Sequence, residues 1–253
     1  INDGRLNSVK VDQVQERLRR ELWDQAGKMN EDRATENKII IAKLITGVDV
    51  TEIYSRPRIA AACSEEGLIG GSSFDLRTGW DLSNPSQQKM ALRRIIEEQP
   101  RLVVGSPPCT MFSIMQNLNL ATKDEKWKSE FYEQRRRAET HLRFCCKVYK
   151  LQRALGRYYL HEHPSSATSW DVECMKDMQV DLGAIRTRAD QCQYGLTRKK
   201  HGLEGPTKKP TDFLTNSPMI AKELSRRCRP GGHQHVHLHE GRARAAEQYP
   251  PGL

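Results

Sequence analysis

From Val48 to Pro164 the chain alternates short apolar runs with amphipathic stretches, with Gly or Pro at the breaks, and few architectures accept that order. Val48 to Tyr54 reads as a first strand, Ile59 to Glu66 as a helix ended by Gly67, and Ser73 to Leu76 as a second strand. Pro85 to Glu98 follows as a helix whose inner face carries Met90, Leu92, Ile95 and Ile96. Arg101 to Gly105 is too short for a helix, is partly β-branched and is closed by Gly and Pro, so it reads as a buried strand. Ala121 to Leu155 holds a long helix with Leu142, Cys145, Val148, Tyr149 and Leu155 on one face, ended by Gly156, and Arg157 to Pro164 forms a fourth strand. Strands separated by helices pair in parallel, so the expected class is α/β, a Rossmann-like, doubly wound and mostly parallel sheet.

Before this region, residues 1 to about 45 are polar and strongly charged. Val11, Val14, Leu18 and Leu22 recur at helical spacing among Arg17, Arg19 and Arg20, which predicts an amphipathic helical extension. It packs on the main domain or serves as an arm. Two units are therefore expected, 1–45 as extension and 46–253 as the main domain. The first residue is Ile1 and not Met, which reads as a fragment or processed product. Lys and Arg outnumber Asp and Glu by 41 to 32, a net charge of +9 that favours a polyanionic partner such as DNA or RNA; a solvated basic face explains it as well. The 7 cysteines are odd in number and contain no CxxC pair, as in a reduced intracellular protein. No apolar run approaches the roughly 18 residues of a membrane span.

Chemistry concentrates at Gly105-Ser106-Pro107-Pro108-Cys109-Thr110-Met111-Phe112-Ser113. Ligands of open α/β sheets bind outside the carboxyl ends of the strands. Cys109 stands at such an end, behind two prolines that fix φ and remove two backbone donors, so the thiol is held on a stiff corner. A buried structural cysteine is the bland alternative.

The order of these residues resembles the cytosine C5 methyltransferases, which carry a G-[SG]-P-P-C-x-x-[FW]-S stretch around a nucleophilic cysteine. Gly105 to Ser113 matches it position by position, and Glu162-His163-Pro164 is similar to the family's Glu-Asn-Val or Glu-Asn-Pro, with His163 in place of Asn. Further on, Gln193-Tyr194-Gly195, Lys208 to Leu214 and Leu238 to Pro250 resemble the family's later blocks in the right order. The resemblance covers roughly residues 48 to 253 and is nearest to the divergent methyltransferase-like segments of retrotransposon polyproteins. It implies an enzyme that uses S-adenosylmethionine, a class I methyltransferase-like fold, a nucleic-acid partner with DNA favoured over RNA, and a nuclear location in a eukaryote. Two departures stand out. Arg56, Pro57 and Arg58 replace glycines of the loop after the first strand, and the target-recognition region between Leu214 and Leu238 is very short.

By this resemblance Cys109 attacks C6 of cytosine while Glu162 hydrogen-bonds N3 and the exocyclic amine. The methyl then goes to C5, and a base in duplex must first be flipped out of the stack. The cofactor would be held by Glu52, Tyr54, Ser55, Asp75, Asp81 and Pro107, and the substrate by Ser113, His163, Lys209 and Thr211. For Asp75 and Asp81 the competing reading is a turn or cap; for Glu162, an ion pair with an arginine; for Lys209 and Thr211, a solvated turn. His161 and His163 flank Glu162 along the strand and point to the opposite face. No metal is required, although Cys228 with His233, His235, His237 and His239 forms a cluster in which alternate histidines share a face; an exposed loop beside a polyanion is the other reading. Two other functions compete: a catalytically silent methyltransferase-like binding module of a mobile-element polyprotein, and a cysteine hydrolase pairing Cys109 with His161 or His163.

Overall fold

The computed structural model describes residues 47–200, 203–229, 231–236 and Pro250. The expected extension 1–45, His237, His239 and nearly all of the Leu238 to Pro250 block lie outside the described residues. Six strands form the central sheet: β1 (Val50–Ile53), β2 (Gly70–Phe74), β3 (Leu102–Gly105), β4 (Tyr158–Pro164), β5 (Ile185–Asp190) and β8 (Pro210–Thr215), in the order β2-β1-β3-β4-β8-β5. Between β5 and β8 the chain makes a separate antiparallel hairpin of β6 (Thr197–Lys200) and β7 (Leu203–Pro206). The helices are α1 (Ile59–Ala62), α2 (Pro85–Glu98), α3 (Gln116–Thr122), α4 (Glu125–Ala154), α5 (Glu173–Gln179) and α6 (Pro218–Glu223).

β1 to β4 pair in parallel, as the helical connections require, whereas β8 runs antiparallel to both β4 and β5. β5 and its sheet neighbour β8 are joined by a 3₁₀ turn and the β6–β7 hairpin with no crossover helix, which a parallel pair usually needs. The architecture is therefore a mixed α/β fold with a mostly parallel six-stranded sheet flanked by helices, compatible with a Rossmann-like fold. No helix among the described residues is long and apolar enough to cross a membrane.

The helix expected over Pro85 to Glu98 has those bounds, with Pro85 in its first turn and the Asn84 side chain accepting from the Ser86 N–H. Its inner face holds in part: Ile95 is buried and Leu92 packs on the core as expected, Ala91 joins them, and Met90 and Ile96 are about half exposed. The long helix is divided at Lys123-Asp124, where the Asp124 carboxylate caps α4 by accepting the Trp127 N–H at 2.8 Å. Leu155 closes α4 and is exposed rather than packed. α1 keeps only one turn of the expected helix. The second strand starts three residues earlier than expected, at Gly70, because closeness rather than side-chain pattern selects its residues: a Cβ on Gly70 would stand 2.1 Å from the Ala60 carbonyl.

The two faces of the sheet are covered unequally. One buries Ile53, Val103, Tyr159 and Leu214 beneath α2, α4 and α5. The other carries Val50, Val104, Leu160 and Phe213 and, among the described residues, meets the short α1 and α6 and Tyr194. Alternation along β4 sends Tyr159, His161 and His163 to the α4 side and Leu160 and Glu162 to the α6 side.

Candidate functional site

Strand order reverses between β1 and β3: the chain leaves β1 toward β2 at one edge, then returns through α2 to place β3 on the other side of β1. Loops leaving the carboxyl ends at such a reversal diverge, which opens a crevice where open α/β sheets bind ligands. The residues after β1, from Tyr54, and after β3, from Ser106, border it.

Cys109 is half-buried and begins the 3₁₀ turn Thr110–Phe112, its carbonyl accepting the Phe112 N–H at 2.9 Å. Three side chains fix this loop from beneath. His163, fully buried, donates from Nε2 to the Pro107 carbonyl at 3.0 Å while Nδ1 accepts from the Ser169 hydroxyl. Arg135 on α4 donates to the Met111 carbonyl at 3.2 Å and to Thr168 Oγ1 at 3.0 Å, and lies 5.0 Å over the Phe112 ring. Thr168 in turn donates to the Phe112 carbonyl at 3.3 Å. Ser113 ends the turn and accepts the Met115 N–H at 3.3 Å. Gly105 is obligatory just before the loop, because a Cβ there would stand 2.0 Å from the Tyr149 hydroxyl.

His161 receives that same Tyr149 hydroxyl at its Nδ1, 3.0 Å away, and burial lowers the pKa of both His161 and His163. Both imidazoles are neutral core groups. His163 has both nitrogens engaged, by the Ser169 hydroxyl and the Pro107 carbonyl, and His161 faces α4, with Nδ1 on the Tyr149 hydroxyl.

Glu162 lies on the other face, buried, in the wall of a cavity of about 410 Å³ with Val104, Leu160, Phe213, Ile59 and Ile220. The β3–β4 register pairs Gly105 with His161, so Glu162 sits one residue past the last pair, at the same end as the Cys109 loop. The cavity is largely apolar, with the carboxylates of Glu162 and Glu223 in its wall.

The residues expected to hold a cofactor border the crevice. Glu52, fully buried, accepts the Arg58 and Ala60 N–H groups on Oε1 at 2.9 and 2.8 Å, which ties the β1–α1 loop down. Its Oε2 is buried with no hydrogen-bond partner among the described residues. Tyr54 adopts φ of 60°, and its hydroxyl lies 3.1 Å from His141 Nδ1; burial drives its pKa far up. Ser55 donates to the Arg56 carbonyl and accepts from the Ser73 hydroxyl. Asp75 caps the 3₁₀ turn Leu76–Thr78 by accepting the Arg77 N–H at 2.9 Å. Asp81 takes the Ser83 N–H and hydroxyl on one oxygen, which lowers its pKa, and its charge reaches Tyr54 and His141. Glu52 thus spends one oxygen on its own loop, and Asp75 and Asp81 each cap a turn of theirs.

Two expected substrate residues are placed differently. Thr211 is fully buried, its hydroxyl accepting from Gln191 at 2.9 Å and donating to the Lys209 carbonyl at 3.3 Å, so it holds the start of β8 rather than facing a ligand. Lys209 is half-buried beside it, and its positive charge helps to lower the pKa of His163. No family model matches the chain, and no curated protein matches it.

Arg135, Thr168 and His141 have no sequence signal of their own; only the fold brings them to the Cys109 loop and to Tyr54. Of the Cys/His cluster, Cys228 and His235 do converge, with His233, but their fourth companion is Cys192, distant in sequence and following β5.

Proposed function

We propose that the protein is a nucleic-acid cytosine C5 methyltransferase of class I-like fold that acts through a covalent Cys109 adduct. The observation that carries this reading is the fixed Cys109 loop beside the β1/β3 reversal, with Glu162 at the same end of the neighbouring strand. The Cys109 thiolate adds to C6, forming the C–S bond while the C5–C6 double bond opens and its electron pair moves toward C5 and N3. Glu162, as the carboxylic acid, donates its proton to N3 as density builds there and accepts from the exocyclic amine, drawing density from the ring. Glu52, Asp75 and Asp81 would hold S-adenosylmethionine, which supplies an electrophilic methyl for C5 when bound. Loss of the C5 proton restores the double bond and expels Cys109. Apolar side chains on either side of Glu162 exclude water from the ring during the covalent stage.

The experiment is transfer of labelled methyl from S-adenosylmethionine to cytosine-containing DNA and RNA. Incorporation should fall more than about 1,000-fold in Cys109→Ser, and unchanged transfer by that variant would end the proposal. A second reading is favoured by one observation: Glu52 pulls the β1–α1 loop onto the sheet where the family leaves it open. A silent binding module would retain nucleic-acid affinity with no affinity for the cofactor.

A further inference from the structure

We infer that Cys192, Cys228, His233 and His235 form a structural zinc site. It rests on side-chain geometry alone and does not depend on the methyltransferase reading. One ligand atom from each of the four lies within 4.8 Å of all the others. Cys228 Sγ is 3.6 Å from His233 Nε2 and 3.4 Å from His235 Nε2, and the two Nε2 atoms are 2.9 Å apart. A tetrahedral zinc with Zn–S of about 2.3 Å and Zn–N of about 2.0–2.1 Å requires S–N edges of about 3.5 Å and an N–N edge of about 3.3 Å. The Cys228, His233 and His235 triangle has these edges to within a few tenths of an ångström, and Cys192 Sγ stands within 4.8 Å of all three. The two rings stand nearly perpendicular, at 73°, so their nitrogen lone pairs converge on one point instead of stacking past each other.

The ligands come from two pieces of chain, as a cross-link needs. Cys192 lies in the 3₁₀ turn Gln191–Tyr194 at the end of β5, and the other three lie in the segment after α6, which turns at Gly231 with φ of 77°. Asp190, fully buried, supports the second piece: its Oδ2 accepts the Cys228 N–H at 2.8 Å and Arg227 Nε at 3.1 Å. Ligand-bearing groups are commonly oriented by such outer contacts. Just past His235, the Val236 N–H donates to the Pro206 carbonyl of β7 at 2.8 Å, so the metal would lock the hairpin, the end of β5 and the segment after α6 into one unit. Four protein ligands leave no open position, which marks the site as structural and not catalytic. Binding releases the thiol protons, because the thiolate is the ligand.

The test is metal content by elemental mass spectrometry of the whole chain expressed with zinc and washed with a mild chelator, alongside cobalt titration of the stripped protein. One zinc per chain is expected, and cobalt should give tetrahedral d–d bands with thiolate charge transfer. Cys192→Ser and His233→Ala should weaken binding at least about 10-fold. If those variants fold poorly, His235→Cys keeps four ligands and should retain the metal while adding thiolate charge transfer. A His237→Ala/His239→Ala double variant should hold zinc as wild type does. Zinc-free wild-type protein that also fails to bind cobalt would overturn the site. So would zinc retained undiminished by the Cys192→Ser/Cys228→Ser double variant, which would mark adventitious binding by the histidines.

Discussion

At the scale of single residues, the carboxyl ends of β3 and β4 tolerate little change. Gly105→Ala would force its methyl against the Tyr149 hydroxyl, itself bonded to His161, and should cost about 1–3 kcal/mol in urea unfolding. The buried histidines set a pH dependence. Both have folded pKa values below the ordinary value of 6.5, so between that value and the folded pKa the unfolded chain binds more protons than the native one. Stability is full above pH 6.5 and declines as pH falls, with a slope of up to about 1.4 kcal/mol per pH unit for each histidine. The urea midpoint should therefore drop between pH 6.5 and 5, and less steeply in His161→Phe; a flat wild-type profile would contradict the neutral assignment. His163→Ala should loosen the Cys109 loop and lower kcat, whereas His163→Asn, restoring the resembled family's residue and one donor to the Pro107 carbonyl, should recover part of it.

Among the elements, the half of the sheet carried by β5 and β8 depends on one carboxylate. Asp212 on β8 is buried and takes Arg186 and Arg188 from β5, at 2.6 and 2.5 Å, while Arg186 also lies 4.1 Å over the Trp170 ring. Asp212→Ala removes the hydrogen bonds of two partly exposed guanidinium groups and should cost about 1–3 kcal/mol, read by denaturant unfolding; no measurable loss would mean that solvent already screens the pair. These two arginines were not legible in the sequence, because cross-strand pairing between residues so far apart leaves no local trace. α2 was legible to the residue, since Pro85 and Asn84 mark its start, and its inner face in part: Ile95 and Leu92 face the core as expected, but Met90 and Ile96 fit the helical period as well as Ala91 does, and only the sheet beneath decides. β2 was displaced for the opposite reason, its Gly70-Gly71 start chosen by close approach that no hydrophobic pattern records. The Cys109 loop was visible because its prolines and cysteine are contiguous, while Cys192 was passed over because its partners lie beyond the next three strands.

For the whole molecule, a net charge of +9 predicts nucleic-acid binding that weakens steeply with salt. Each phosphate neutralised adds about 0.9 to the log–log slope on duplex and about 0.7 on single strands, so comparing the slopes on the two polymers counts the contacts. The sheet supplies what such a surface serves: a strand-order reversal with the Cys109 loop on one side, acids on the other, and Glu162 in an apolar wall. The measurement that tests this account most directly is covalent trapping on DNA or RNA containing 5-fluorocytosine, with S-adenosylmethionine present. Fluorine at C5 blocks the final elimination, so a denaturation-resistant adduct should accumulate with wild-type protein and be absent in Cys109→Ala. An adduct that persists without Cys109, or no adduct on a polymer the protein demonstrably binds, would contradict it.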